Sequence, residues 1–154
     1  MAFAIVSDEW LFHDLSGQNG DDKQEEALRF LVRLAQKKDR LVILEGSPFQ
    51  EKVFELKKAS EHNADLRRIS KSLDLNIISN ASVAHLLAQE DIKPMPSHLA
   101  KLVPREGDHY LFQAHLEVKG SFIVTTDKGW KASVYKRKDL DIRFRDDFLP
   151  QYLQ

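Results

Sequence analysis

Cysteine is absent from the chain, so disulfide staples and thiolate metal ligands are both excluded. A thiol-free composition fits a reducing compartment, and the expected location is cytoplasmic. The N-terminal Met-Ala-Phe-Ala-Ile-Val-Ser-Asp has no basic n-region, and its apolar run is too short for a signal peptide. No stretch approaches the roughly 18 apolar residues of a membrane span, so no membrane partner is expected. An excess of one charge is also missing. The formal net charge is -1, which argues against a binder living on bulk phosphate attraction. It leaves room for a local basic rim around an acidic centre. Internal repeats, low-complexity tracts and linkers are absent, and the length fits one domain over residues 1–154. The 42% hydrophobic and 31% charged residues are an ordinary globular mixture, enough to bury a core.

Hydrophobic patterning supplies the elements. Residues 3–7 (Phe-Ala-Ile-Val-Ser) read as a buried strand ending on Asp8, followed by helical turns over 9–15 and a Gly/Asn/Asp loop. Ala27, Phe30, Leu31, Leu34 and Ala35 form one helical stripe, with Asp21 or Asp22 as its cap and Lys37-Lys38 suiting its C-terminal dipole. Residues 40–44 (Arg-Leu-Val-Ile-Leu) predict a second strand. Ser47 is an N-cap candidate with Pro48 in the first turn of a helix running to about Glu61. Another helix spans Ala64 to Leu73. Residues 75–78 (Leu-Asn-Ile-Ile) are expected as a third strand and Ala81 to Ala88 as a helix. A helix over about 108–118 stops near Gly120, and residues 121–125 (Ser-Phe-Ile-Val-Thr) form a fourth strand. Ala132 to Tyr135 suggests a further strand, and Asp147 to Leu153 a short helix interrupted by Pro150. Apolar strands alternating with amphipathic helices predict an α/β fold, a three-layer α/β/α sandwich around a mainly parallel sheet.

Ligands in such sheets bind beyond the carboxyl ends of the strands. Asp8 follows the first strand and Asp127 the fourth, while Asp108 opens the helix leading into that fourth strand. Glu45 ends the second strand, and Glu51 lies in the first turns of the next helix. Converging carboxylates repel one another unless a hard cation such as Mg²⁺ or Mn²⁺ compensates. Without cysteine or a His-x-x-x-His pair, zinc is not expected.

The segment Asp108-His-Tyr-Leu-Phe-Gln-Ala-His-Leu-Glu-Val-Lys-Gly-Ser-Phe-Ile-Val-Thr-Thr-Asp127 resembles the signature half of a PIN domain. In that family an Asp opens a helix with a central Ala, and an apolar strand then ends in Thr-x-Asp. Ile-Val-Ser-Asp8 is similar to the family's first strand and first acid, and Glu51 falls where the family places its second. The resemblance implies a Rossmann-like fold and Mg²⁺- or Mn²⁺-dependent ribonuclease activity, leaving 5′-phosphate and 3′-hydroxyl ends. Asp8, Glu51, Asp108 and Asp127 would be the catalytic, metal-binding acids, and Thr125 would order the loop. Glu45 remains the rival to Glu51. Related domains act as toxins with a paired inhibitor protein or as processing nucleases, so an inhibitor, RNA and a second copy of the chain are the partners considered.

Two departures fall beside the acids. Glu9-Trp10 stands where the family has a small hydroxyl residue and Asn, and Trp130-Lys131 stands where many members carry another acid. They motivate the alternative of a catalytically weak or inactive PIN-like module binding RNA or a partner protein. Lys128 and Lys131 are placed to neutralise RNA phosphates. Trp10, Tyr110 and Trp130 flank the acids as packing residues or base-stacking platforms. A receiver domain is disfavoured, because Ser79-Asn80 rather than Asp follows the expected third strand. A dinucleotide binder is disfavoured by the lack of Gly-x-Gly-x-x-Gly after the first strand.

Overall fold

The computed structural model describes residues 2–154. Its sheet has five strands, all parallel, in the order β3-β2-β1-β4-β5, with β1 Ala4–Ser7, β2 Arg40–Leu44, β3 Ala84–Leu87, β4 Ser121–Thr125 and β5 Ile142–Phe144. The expected α/β architecture is what the chain adopts. β1, β2 and β4 are the apolar, β-branched runs, and their inner residues are buried on both faces, as parallel strands under helices must be.

The helices are α1 Trp10–Leu15, α2 Asp21–Lys37, α3 Pro48–Ala59, α4 Ala64–Leu73, α5 Ser97–Ala100, α6 His109–Glu117, α7 Ala132–Tyr135 and α8 Arg145–Tyr152. α2 packs against α1, α4 and α8, while α6 lies on β1, β2 and β4. The stripe Ala27, Phe30, Leu31 and Leu34 faces the core as its spacing predicts. Asp21 and Asp22 sit in the first turn of α2 but do not cap it; Gly20 holds that place at φ 98°. At α3 the expected cap forms, with the Ser47 hydroxyl accepting from the Gln50 N–H at 3.3 Å and Pro48 opening the helix. Gly120, at φ 79°, turns the chain from the end of α6 into β4. α8 is tied to α1 by the buried Arg145–Asp14 ion pair at 2.8 Å.

The second half of the sheet departs from expectation. Residues 75–78 are not a strand: Asp74–Ile78 continue α4 as a π-helical turn that buries Ile77. The third strand lies instead at Ala84–Leu87, inside the segment expected as a helix. It pairs with β2 from Leu41↔Ala84 to Leu44↔Leu87 and is an edge, with Leu86 66% exposed. Ala132–Tyr135 is a helical turn rather than a strand, and β5 forms later at the other edge. α8 runs through Pro150 and is longer than expected. Among the described residues no helix is long and apolar enough to cross a membrane.

Candidate functional site

The strand order reverses between β1 and β4, so their carboxyl ends open a crevice at the switch point of the sheet. Three sequence-expected acids reach it. Asp8, Asp108 and Asp127 line one cleft of about 320 Å³ with Glu9, Trp10, His13, Arg105, Gly107, Tyr110 and Thr126. Asp8 arrives at the end of β1, where its N–H extends the ladder to the Val124 carbonyl at 3.3 Å. Asp108 ends a 3₁₀ turn over Glu106–Asp108, closed by its N–H onto the Arg105 carbonyl at 3.0 Å, and leads into α6. Asp127 is the second residue beyond β4.

Hydrogen bonds fix these carboxylates from behind. Asp8 Oδ1 accepts the Trp10 N–H at 3.0 Å, and Asp8 Oδ2 accepts the Thr125 hydroxyl. Thr125 Oγ1 in turn accepts the Asp127 N–H at 2.9 Å. Asp127 Oδ1 accepts the Gly129 N–H at 2.7 Å, an approach close enough that a Cβ on Gly129 would stand 3.2 Å from the same oxygen. Asp108 Oδ2 accepts the Trp130 indole N–H at 3.2 Å. The Tyr135 hydroxyl donates to the Asp127 carbonyl at 2.8 Å.

Burial is the main influence on the Asp8 carboxyl and pushes it up to about 6. The Thr125 hydroxyl and the N–H groups of Trp10 and Thr126 oppose that rise, and the Asp108 charge adds to it. Tyr110 is buried, with 7% of its surface exposed, and its hydroxyl has no hydrogen-bond partner. Burial raises its phenol above the ordinary tyrosine value, and Asp8, Glu9 and Asp108 raise it further, so it stays protonated.

Other expected residues take different places. Glu51 is exposed on α3 and is not among the cleft residues, nor is Glu45. Glu51 lies in the first turn of the helix after the second strand, as expected, but with Phe49, Val53 and Leu56 as the buried residues of that helix it stays exposed. Glu9 supplies a fourth acid instead. Thr125 is fully buried, so its hydroxyl orders the loop and is closed to substrate. Lys128 and Lys131 are exposed outside the cleft lining, with the Lys128 ammonium 5.4 Å from the Phe144 ring centre. Neither tryptophan is free to stack on a base. Trp10 donates its indole N–H to the Val124 carbonyl at 3.0 Å, and Trp130 packs between Phe112 and Tyr135. Arg105 was not a sequence candidate. Its only signal was a basic residue three positions before Asp108.

Among the described residues, no three His, Asp or Glu side chains stand close enough together to form a ready-made metal ligand set. No protein-family model, curated protein or solved structure is significantly similar to the chain.

Proposed function

We propose that the chain is a divalent-cation-dependent ribonuclease working at the cleft between β1 and β4. The observation that carries this reading is that Asp8, Asp108 and Asp127, from three separate segments, line one cleft at the switch point.

The donors fit a hard cation in kind. They are carboxylate oxygens with spare lone pairs, and the Asp8 carboxyl is raised chiefly by its burial, with the Asp108 charge adding to the rise. They do not form a complete inner sphere. Mg²⁺ characteristically takes one or two carboxylates and keeps several waters, so it does not require three converging acids. Asp8 and Asp108 would hold such an ion, with Asp127 and Glu9 adding negative potential. When bound, Mg²⁺ or Mn²⁺ would polarise the phosphoryl group and neutralise charge developing on its oxygens.

The chain's own residues supply the rest. Thr125 and the Trp10 N–H hold the Asp8 carboxylate in one orientation. The Trp130 indole does the same for Asp108. Arg105, exposed at the cleft, offers a cation to a phosphate of the strand, with Lys128 and Lys131 as more distant phosphate contacts.

Labelled single-stranded RNA incubated with Mn²⁺ or Mg²⁺ tests the reading. Wild type should cleave and Asp8→Asn should not; equal cleavage by both refutes it.

A second reading is a non-catalytic module that binds RNA or a partner protein. One specific observation favours it: the acids form no group of three able to hold a metal, and each is already hydrogen-bonded within the protein, Asp8 to the Trp10 N–H, Asp127 to the Gly129 N–H and Asp108 to the Trp130 indole. Calorimetric titration separates the two, since the module would give no heat with millimolar Mn²⁺.

A further inference from the structure

The acidic cleft continues into a second recess. Trp10, His13 and Thr126 line both, and Gln18, Asn19, Lys23 and Asp146 complete the recess, whose volume is about 540 Å³. The two spaces differ in charge. Four carboxylates and one guanidinium line the cleft, whereas in the recess the Lys23 ammonium meets the Asp146 carboxylate at 3.3 Å and the balance is neutral. A neutral polar recess does not select a phosphate. It suits an uncharged ring with donors and acceptors on its edge.

Two exposed side chains there are anchored at one end and open at the other. Asn19 Nδ2 donates to Asp14 Oδ1 at 2.7 Å, and Asp14 is itself fixed by the buried Arg145 at 2.8 Å. Gln18 Oε1 accepts from His13 Nδ1 at 2.9 Å. Among the described residues, the Asn19 carbonyl oxygen and the Gln18 NH₂ have no protein partner, so neighbouring residues present one held acceptor and one held donor. The Watson–Crick edge of an unpaired base offers both kinds of group in return. His13, which lines both spaces, adds an imidazole, one of the rings on which unpaired bases stack.

We propose that this recess is a subsite for one base of single-stranded RNA, with His13 as its stacking partner and Gln18 and Asn19 as the groups that read its edge. The inference rests on the reading that the adjoining cleft takes RNA, and it adds the direction in which the strand runs and the residues that set base preference. It does not require a bound cation, because every group it uses is neutral or already paired within the protein.

The test is fluorescence anisotropy at low salt with chelator present, using short single-stranded RNA oligomers of each base and an abasic oligomer of the same length. For wild type the best and worst bases should differ by at least about fivefold in affinity, and the abasic oligomer should bind more weakly than the best base by at least as much. Gln18→Ala should level the difference between bases. Gln18→Glu keeps the oxygen that meets His13 and turns the free donor into an acceptor, so it should change which base is preferred. Equal affinity for intact and abasic oligomers overturns the subsite, as does binding of neither. An unchanged order of bases in both variants, or a uniform weakening for all four, removes Gln18 from base reading and overturns the proposal. Cleavage of the same oligomers in Mn²⁺ reports on the proposed function separately. Cleavage without base-dependent binding removes the subsite and leaves the ribonuclease standing, whereas base-dependent binding without cleavage keeps the subsite and favours the non-catalytic module.

Discussion

The Thr125 hydroxyl donates to the Asp8 carboxylate, joining the end of β4 to the end of β1 across the reversal in strand order. The same oxygen accepts the Asp127 N–H, so one buried side chain orients two acids of the cleft. Replacing Thr125 by Val keeps the shape but leaves one donor and one acceptor unpaired. The expected loss is about 2–3 kcal/mol of stability, whereas Thr125→Ser should cost about 1 kcal/mol or less. Thr125→Val should also move the Asp8 titration above about 6, because the bond that opposes its rise is gone. Urea unfolding and carboxyl NMR measure the two effects separately.

On the proposed reading, Asp8 would make cation binding pH-dependent. Its carboxyl is pushed up to about 6 from the ordinary 3.8, so below about pH 6 a proton competes with the cation. Mn²⁺ affinity should fall steadily on acidification from neutral pH, approaching tenfold per pH unit well below that value. The effect on cation-free stability has the opposite sense. Between about pH 4 and 6 the folded state holds the proton that the unfolded state has released, so stability falls as pH rises through that window. Asp8→Asn should remove this slope, and a variant retaining it would refute the assignment.

His115 contributes a slope of the other sign. Its Nε2 accepts the Asp141 N–H at 3.1 Å, which requires that nitrogen to be unprotonated, and its Nδ1 is then the donor to Ser121 Oγ at 2.9 Å. Burial lowers its pKa below the ordinary 6.5, with Asp141 and Asp139 opposing. The unfolded state therefore takes up a proton first on acidification. Stability from this residue is present above about pH 6.5 and is lost as pH falls from there towards the folded-state value. Comparing wild type with His115→Gln across this range should show the variant less acid-sensitive, and parallel curves would count against the depressed pKa.

These residues mark where sequence patterning carries structural information and where it stops. β1, β2 and β4 were legible because each is a β-branched apolar run buried on both faces, and Asp8 and Asp127 followed as strand ends. β3 was not legible. Ala84-His85-Leu86-Leu87 has no β-branched residue and stands half-exposed at an edge, whereas Leu75-Asn-Ile-Ile78 has the composition of a strand but continues a helix that needs Ile77 for the core. The site divided in the same way. Strand-end position placed Asp8 and Asp127 and the family resemblance placed Asp108, but the direction in which Glu51 points depends on how α3 seats its apolar stripe. The missing partner of Tyr110 is a property of the packed molecule, as is the arrival of Arg105 at an acidic cleft.

Arg105 offers the sharpest separation between a counter-ion and a substrate contact. Its carbonyl closes the turn that ends on Asp108, and its side chain lines the cleft with the acids. If the guanidinium served only to balance those carboxylates, removing it would lower stability and leave RNA binding unaffected. Under the proposed function it would be a phosphate contact beside a cation, with two effects of opposite sign. Arg105→Ala should weaken binding of single-stranded RNA several-fold and reduce the salt dependence of that binding by about one unit of slope. The same change should leave Mn²⁺ binding as tight as wild type or tighter, because one positive charge no longer competes for the carboxylates. Fluorescence anisotropy at several salt concentrations measures the first effect and calorimetry the second. RNA affinity and salt slope both unchanged in Arg105→Ala would remove this residue from the substrate path.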